Sequence, residues 1–185
     1  EPLLLHPALL RSWVDEVCAG YEETVATREL LDEVMDGIYP GIRLSEVEQL
    51  ITYGARGKIE IDPAWSFVAA RSLLRKLYAE VGGQWIAIAD APGRYPELFA
   101  SYIRGAVAHE LLDEKLLTFD LGRLGAALDP ERDLAFTYFG LQTLYDRYLI
   151  VDKKNKPNRR LETPQLFWMR VAMGLCIKET DPEDK

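Results

Sequence analysis

The chain has 185 residues, with 22 Lys and Arg against 30 Asp and Glu, a net charge of −8, 48% hydrophobic residues and two cysteines. This composition excludes a disordered, fibrous or disulfide-stapled protein, and at this length roughly two-thirds of the unfolded surface can be buried without a metal or cross-link. The acidic balance argues against nucleic acid or anionic lipid gripped over a whole face, while no apolar run approaches the roughly 20 residues of a membrane span.

Residues 7 to 19 read as a first helix, because Leu9, Leu10, Trp13, Val14 and Val17 recur at helical spacing and Gly20 follows as a stop. A second helix runs from about Thr27 to Ile38, closed by Tyr39-Pro40-Gly41. Ser45-Glu46-Val47-Glu48 has the capping-box pattern and predicts a third helix to about Ile59. Asp62-Pro63 opens a fourth, carrying Phe67, Ala70, Leu74, Leu77 and Val81 to the stop at Gly82-Gly83. Trp85 to Tyr95 reads as a loop, Pro96 starts a fifth helix through Val107, and residues 115 to 128 predict one more short helix. Phe136 to Tyr148 is an aromatic-rich helix. Tyr148 to Val151 and Arg159 to Glu162 read as strands of a hairpin around the polar turn 152 to 158, after which Thr163-Pro164 opens a last helix to about Lys178.

Chemistry-bearing motifs are few. The chain has no GxGxxG, P-loop, HExxH, CxxC or nucleophile-elbow pattern. His109-Glu110 is the nearest thing to an acid–base or metal pair, but adjacent helical residues do not face a common ligand, and His6 stands alone. Asp32-Glu33, Glu22-Glu23 and Asp113-Glu114 read as solvated helix faces. Lys153, Lys154, Lys156, Arg159 and Arg160 are the best phosphate-binding candidates, weighed against a hairpin tip kept soluble by charge. Trp65, Phe67, Tyr138, Phe139, Tyr145, Phe167 and Trp168 read as core, and Cys176 as a buried inert thiol. With no CxxC pair for Cys18 or Cys176 and no signal-peptide pattern in residues 1 to 6, a cytoplasmic address is expected.

The segment Leu161-Glu162-Thr163-Pro164-Gln165-Leu166-Phe167-Trp168-Met169-Arg170-Val171-Ala172-Met173-Gly174-Leu175 resembles the ETPQ…MRVAMGL helix at the entrance to the catalytic barrel of ribonucleotide reductase large subunits. Upstream, residues 136 to 149 are similar to that family's YFG-x-x-TLE-x-x-YL helix and strand, preceded by Asp129-Pro130-Glu131-Arg132-Asp133 where the family has a D-x-x-RD turn. Asp36-Gly37-Ile38 and Asp62-Pro63-Ala64-Trp65 are similar to its YDGI-type and DP-x-Y segments, in the same order.

The resemblance implies a mainly α fold: the helical N-terminal domain of the large subunit, with one short β-hairpin, leading into the first helix of the ten-stranded α/β barrel. It implies residues 1–41 as a degenerate or truncated ATP-cone remnant, 42–162 as the helical domain with its hairpin, and 163–185 as the start of the barrel. The redox cysteines, the radical cysteine and its assisting Asn and Glu are implied beyond Lys185, so this segment is expected to carry no catalytic, cofactor-binding or metal residue. Cys18 and Cys176 match none of the family's cysteines. The expected partners are the remainder of the large subunit and, for a class I enzyme, a radical-generating small subunit; the parent enzyme would otherwise need adenosylcobalamin. No K-R-D-G turn precedes Leu9, so no ATP or dATP switching is expected through this segment. The alternative reading is a stand-alone, non-catalytic helical protein-interaction module.

Overall fold

Leu10, Trp13, Val14 and Val17 fall on one face of α1 (Pro7–Cys18), and all four are buried, as their spacing requires. The computed structural model describes residues 7–83, 92–153 and 158–179. The chain forms two units, one of residues up to Lys76 together with Leu134–Thr143, the other of Leu77–Asp133 together with residues from Leu144 onward.

In the first unit, α1 packs on α2 (Thr27–Asp36), and α2 on α3 (Leu44–Gly57). Gly20, at φ +81°, turns the chain out of α1. The approach of α3 to α2 is close: a Cβ on Gly54 would meet Leu30 at 2.8 Å. The start of α3 departs from the expected capping box. The Glu46 carboxylate reaches back to the Arg43 N–H at 2.8 Å, so the helix begins two residues early and Arg43, not Ser45, is the N-cap. Glu48, expected to cap, is buried on the inner face instead. At α4 (Ala64–Gly82) the expected cap forms, with Asp62 accepting the Ala64 N–H at 2.7 Å. Arg71 of α4 donates to the carbonyls of Val17 and Ala19 at the end of α1, and its guanidinium lies 4.8 Å from the Tyr21 ring, which stacks on Phe67. Arg75 pairs with Glu16 and lies over Trp13. At the start of α7 (Tyr138–Arg147), Ser66 accepts the Tyr138 N–H at 3.1 Å, satisfying one of that helix's orphan donors.

The second unit takes up α4 from Leu77 to its end before Gly83, whose φ of +70° supplies the expected stop. The expected loop from Trp85 lies outside the described residues as far as residue 91, and 92–94 form a single 3₁₀ turn. Next comes α5 (Tyr95–Ala108), with proline in its first turn. The single helix expected over 115 to 128 is two pieces, a 3₁₀ turn at Glu114–Thr118 and α6 (Leu121–Ala126). Asp113 and Asp120 each accept a backbone N–H and restart the chain, which splits the element. α6 packs on α5 so closely that a Cβ on Gly125 would lie 3.0 Å from backbone atoms of Pro96.

After α7, β1 (Val151–Asp152) pairs antiparallel with β2 (Arg159–Arg160), Val151 opposite Arg160. The ladder is extended by the Leu161 N–H on the Ile150 carbonyl, but it begins later than expected because α7 keeps Tyr148 on its last turn. Turn residues 154–157 lie outside the described residues. α8 (Pro164–Leu175) closes the described fold. Among the described residues the secondary structure is mainly helical, with one short hairpin.

Candidate functional site

Three carboxylates organise the polar interior of the second unit, Glu162 and Asp133 buried and Glu80 half-buried. Glu162, at the end of the hairpin, is fully buried and accepts the Ile150 N–H at 2.8 Å and two Arg170 donors at 2.9 and 3.2 Å. A fork of this kind is the strong form of a charge-assisted hydrogen bond. Burial alone would pull the Arg170 guanidinium down, but the hydrogen bonds and charge of Glu162 hold it above its ordinary value. The neighbouring Tyr102 phenol is pushed up by burial and then by the Glu162 charge. One carboxylate thereby ties the strand exit of α7, the end of β2 and α8 together.

Glu80, near the end of α4, does the same for the other side of the hairpin. It accepts hydrogen bonds from the Tyr145 hydroxyl and, at 2.9 Å, from the Arg160 N–H. The Arg160 guanidinium lies 3.5 Å from the centre of the Tyr145 ring, donates to the Tyr145 carbonyl at 3.2 Å and faces Asp146 at 3.8 Å. Of the basic cluster, Arg160 is thus committed to the fold. Lys153 and Arg159 are exposed, and Lys154 and Lys156 lie outside the described residues.

Asp133 is 1% exposed and has no cation beside it in the described hydrogen bonds and ion pairs. Its carboxylate accepts from the Tyr95 hydroxyl at 2.6 Å and from Tyr78 at 2.9 Å. Burial raises it to about 6, against the opposing pull of the two phenols. Neither Asp133 nor Glu162 is singled out by periodicity. Asp133 lies in a short 3₁₀ helix (Pro130–Ala135) and Glu162 in the irregular stretch before α8, neither long enough to show a buried face, and their one sequence signal is membership in the D-x-x-RD and ETPQ motifs.

The candidates read from sequence do not converge on a reactive centre. His109 is exposed at the end of α5, and Glu110 beside it turns away at φ +58°. His6 lies outside the described residues. Among the acidic pairs, Glu22 and Glu23 are exposed, Asp32 faces Arg28, Glu33 pairs with Lys58 at 2.9 Å and Asp113 caps a turn. Trp65, Tyr138, Tyr145 and Phe167 are core as expected and Phe67 is half-buried. Phe139 and Trp168 correct that reading, being 60% and 52% exposed on outward faces of their helices. Cys18 is buried and burial pushes its thiol up, which suits an unreactive cysteine, whereas Cys176 is only half-buried. Among the described residues no three His, Cys, Asp or Glu side chains gather as a metal site, and no helix is long and apolar enough to cross a membrane.

Two surface features remain. An open cleft of about 670 Å³ runs beside the hairpin, with Leu149, Ile150, Val151 and Leu161 in its lining. On α8, Trp168, Ala172 and Leu175 follow one another at i, i+4 and i+7, all exposed, Leu175 to 78%.

Residues 134–185 match the family described as "Ribonucleotide reductase, all-alpha domain". The chain is 40% identical over 179 residues to a ribonucleoside-diphosphate reductase subunit alpha of Chlamydia muridarum, covering 97% of this chain and 17% of that one. It is 37% identical over 150 residues to the subunit alpha of Helicobacter pylori, covering 76% of this chain and 17% of that protein. A large subunit from Plasmodium falciparum is 28% identical over 172 residues. The chain thus spans about a sixth of the length of the curated bacterial relatives. The motif order, the helical fold and 40% identity along 97% of this chain agree: the chain belongs to the ribonucleotide reductase large-subunit family, in its N-terminal helical region.

Proposed function

We propose that this chain is the N-terminal scaffold of an enzyme that reduces ribonucleoside diphosphates to deoxyribonucleotides for DNA synthesis, in the cytoplasm, and that it is itself inactive. The observation that carries the reading is the bare stripe Trp168, Ala172 and Leu175 on α8. An apolar face left open at helical spacing needs a cover, and because relatives are about six times longer, the rest of such a polypeptide is the cover this reading assigns. The Glu162–Arg170 fork would then hold α8 at a fixed angle to the hairpin as the chain enters the barrel. The same relatives support this reading rather than a stand-alone interaction module.

Residues 1–41 are assigned to the ATP-cone, 42–162 to the helical domain with its hairpin and 163–185 to the opening of the barrel. Allosteric nucleotide control of the parent enzyme is exerted outside this segment, and micromolar dATP binding by this chain alone would overturn that assignment. The radical generator, a metal-containing small subunit or adenosylcobalamin, does not fit the residues here. Among the described residues no ligand cluster exists, and the buried Asp133 and Glu162 are engaged by tyrosine and arginine donors. Neither nucleic acid nor membrane is a partner in this role.

The test is thiol labelling of Leu175→Cys in a Cys176→Ser background, in this chain alone and in the complete large subunit. Protection of at least about tenfold in the complete subunit is expected. Equal reactivity in both would overturn the reading.

A further inference from the structure

We propose that the cleft beside the hairpin is a binding site for a small organic anion with an apolar body, such as an aryl phosphate or an acyl carboxylate. Its volume, about 670 Å³, falls within the range of small-molecule pockets. The floor is aliphatic, formed by Leu149, Ile150, Val151 and Leu161. The rim carries Arg147, Lys153 and Arg159, all exposed, and no hydrogen bond or ion pair among the described residues engages their side chains. Asp146 and Asp152 also line the cleft, but they are fewer than the cations, and Asp146 already faces Arg160.

Arg75, Arg160 and Arg170 are each tied to a carboxylate, whereas the cations at the rim of the cleft face solvent. Cations around an apolar floor complement a ligand whose charged head stays at the rim while its body displaces water from the floor. The far wall is built with some strain. His109 and Leu111 both line the cleft because Glu110 between them adopts φ +58°, a conformation ordinarily left to glycine. The inference is independent of the scaffold reading, since no residue of the α8 stripe lines the cleft and the partner is of a different kind.

Fluorescence titration of the full chain with 1-anilinonaphthalene-8-sulfonate, an anion with an aromatic body, tests it. The titration is run in a Trp168→Ser background so that the bare stripe on α8 contributes less. Saturable binding is expected, weakened at least tenfold by Lys153→Ala with Arg159→Ala and unchanged by Arg28→Ala with Arg132→Ala, which removes two exposed cations elsewhere. Circular dichroism should be the same for all variants, because the substituted side chains are exposed. Phenyl phosphate and octanoate are added as competitors, and the stronger of the two identifies the preferred body. Absence of saturable binding, or equal affinity in the Lys153/Arg159 double variant, would overturn the proposal.

Discussion

Removing Arg170 should expose how much of the second unit depends on one buried charge. Glu162 is fully buried and has three donors, of which Arg170 supplies two and the Ile150 N–H the third. Arg170→Met keeps most of the stem's packing and helix propensity while leaving the carboxylate with a single partner, and an orphaned buried charge costs about 3–5 kcal/mol. Glu162→Gln is milder. The amide still accepts the Ile150 N–H, and the guanidinium, 19% exposed, recovers part of its solvation, so about 1–3 kcal/mol is expected. The double variant, with no buried charge to strand, should be more stable than Arg170→Met alone by about 1–2 kcal/mol. Urea denaturation followed by circular dichroism measures all four proteins. A loss below about 1 kcal/mol, or simple addition of the two single effects, would refute the reasoning.

Asp133 gives a prediction of the opposite sign. Its carboxyl is raised to about 6 from an ordinary value of 3.8, so its contribution to stability is full below pH 3.8 and is lost as pH rises through 6. Asp133→Asn should therefore be more stable than the parent at pH 7, by up to about 3 kcal/mol, with the difference vanishing near pH 4 in the same denaturation assay. Glu110 occupies the left-handed position that ends α5, with the Leu111 N–H on the Ala106 carbonyl and the Glu110 N–H on Val107. Glu110→Gly should raise stability by about 1 kcal/mol in thermal unfolding, and a loss would show that the strain is not real. Gly125→Ala should gain helix propensity yet destabilise by about 1–3 kcal/mol, since the new methyl meets Pro96 backbone atoms at 3.0 Å rather than a movable side chain. A stabilised variant would contradict the close packing of α6 on α5.

Amphipathic spacing made α1, α2 and α4 legible, because each buries a face that recurs every three to four residues. Asp62-Pro63 was equally plain, since cap and proline act within three residues. The pattern at Ser45 misled because a competing acceptor, Glu46, found the Arg43 N–H first. Residues 115 to 128 look helical by composition, but Asp113 and Asp120 draw the backbone into two separate starts. Aromatic character suggested burial for Phe139 and Trp168, yet an aromatic faces inward only where something covers it. The polar clamps were hardest to see. Glu162 finds Arg170 eight residues on, and Tyr145 finds Glu80 across 65 residues, pairings that no local period encodes. Membership of the family was legible from motif order, whereas the cleft required the hairpin and the end of α5 to be brought together in space.

Peptide mapping of the native polypeptide that carries Ala172-Met173-Gly174, purified while fractions are assayed for ribonucleoside diphosphate reductase activity, tests the central claim most directly. The account predicts peptides continuing beyond Lys185 into a barrel with redox cysteines, or a separate barrel chain that copurifies with this one, in the fraction that forms deoxyribonucleotides. A native polypeptide ending at Lys185, with no barrel partner and no reductase activity in its fractions, would contradict it.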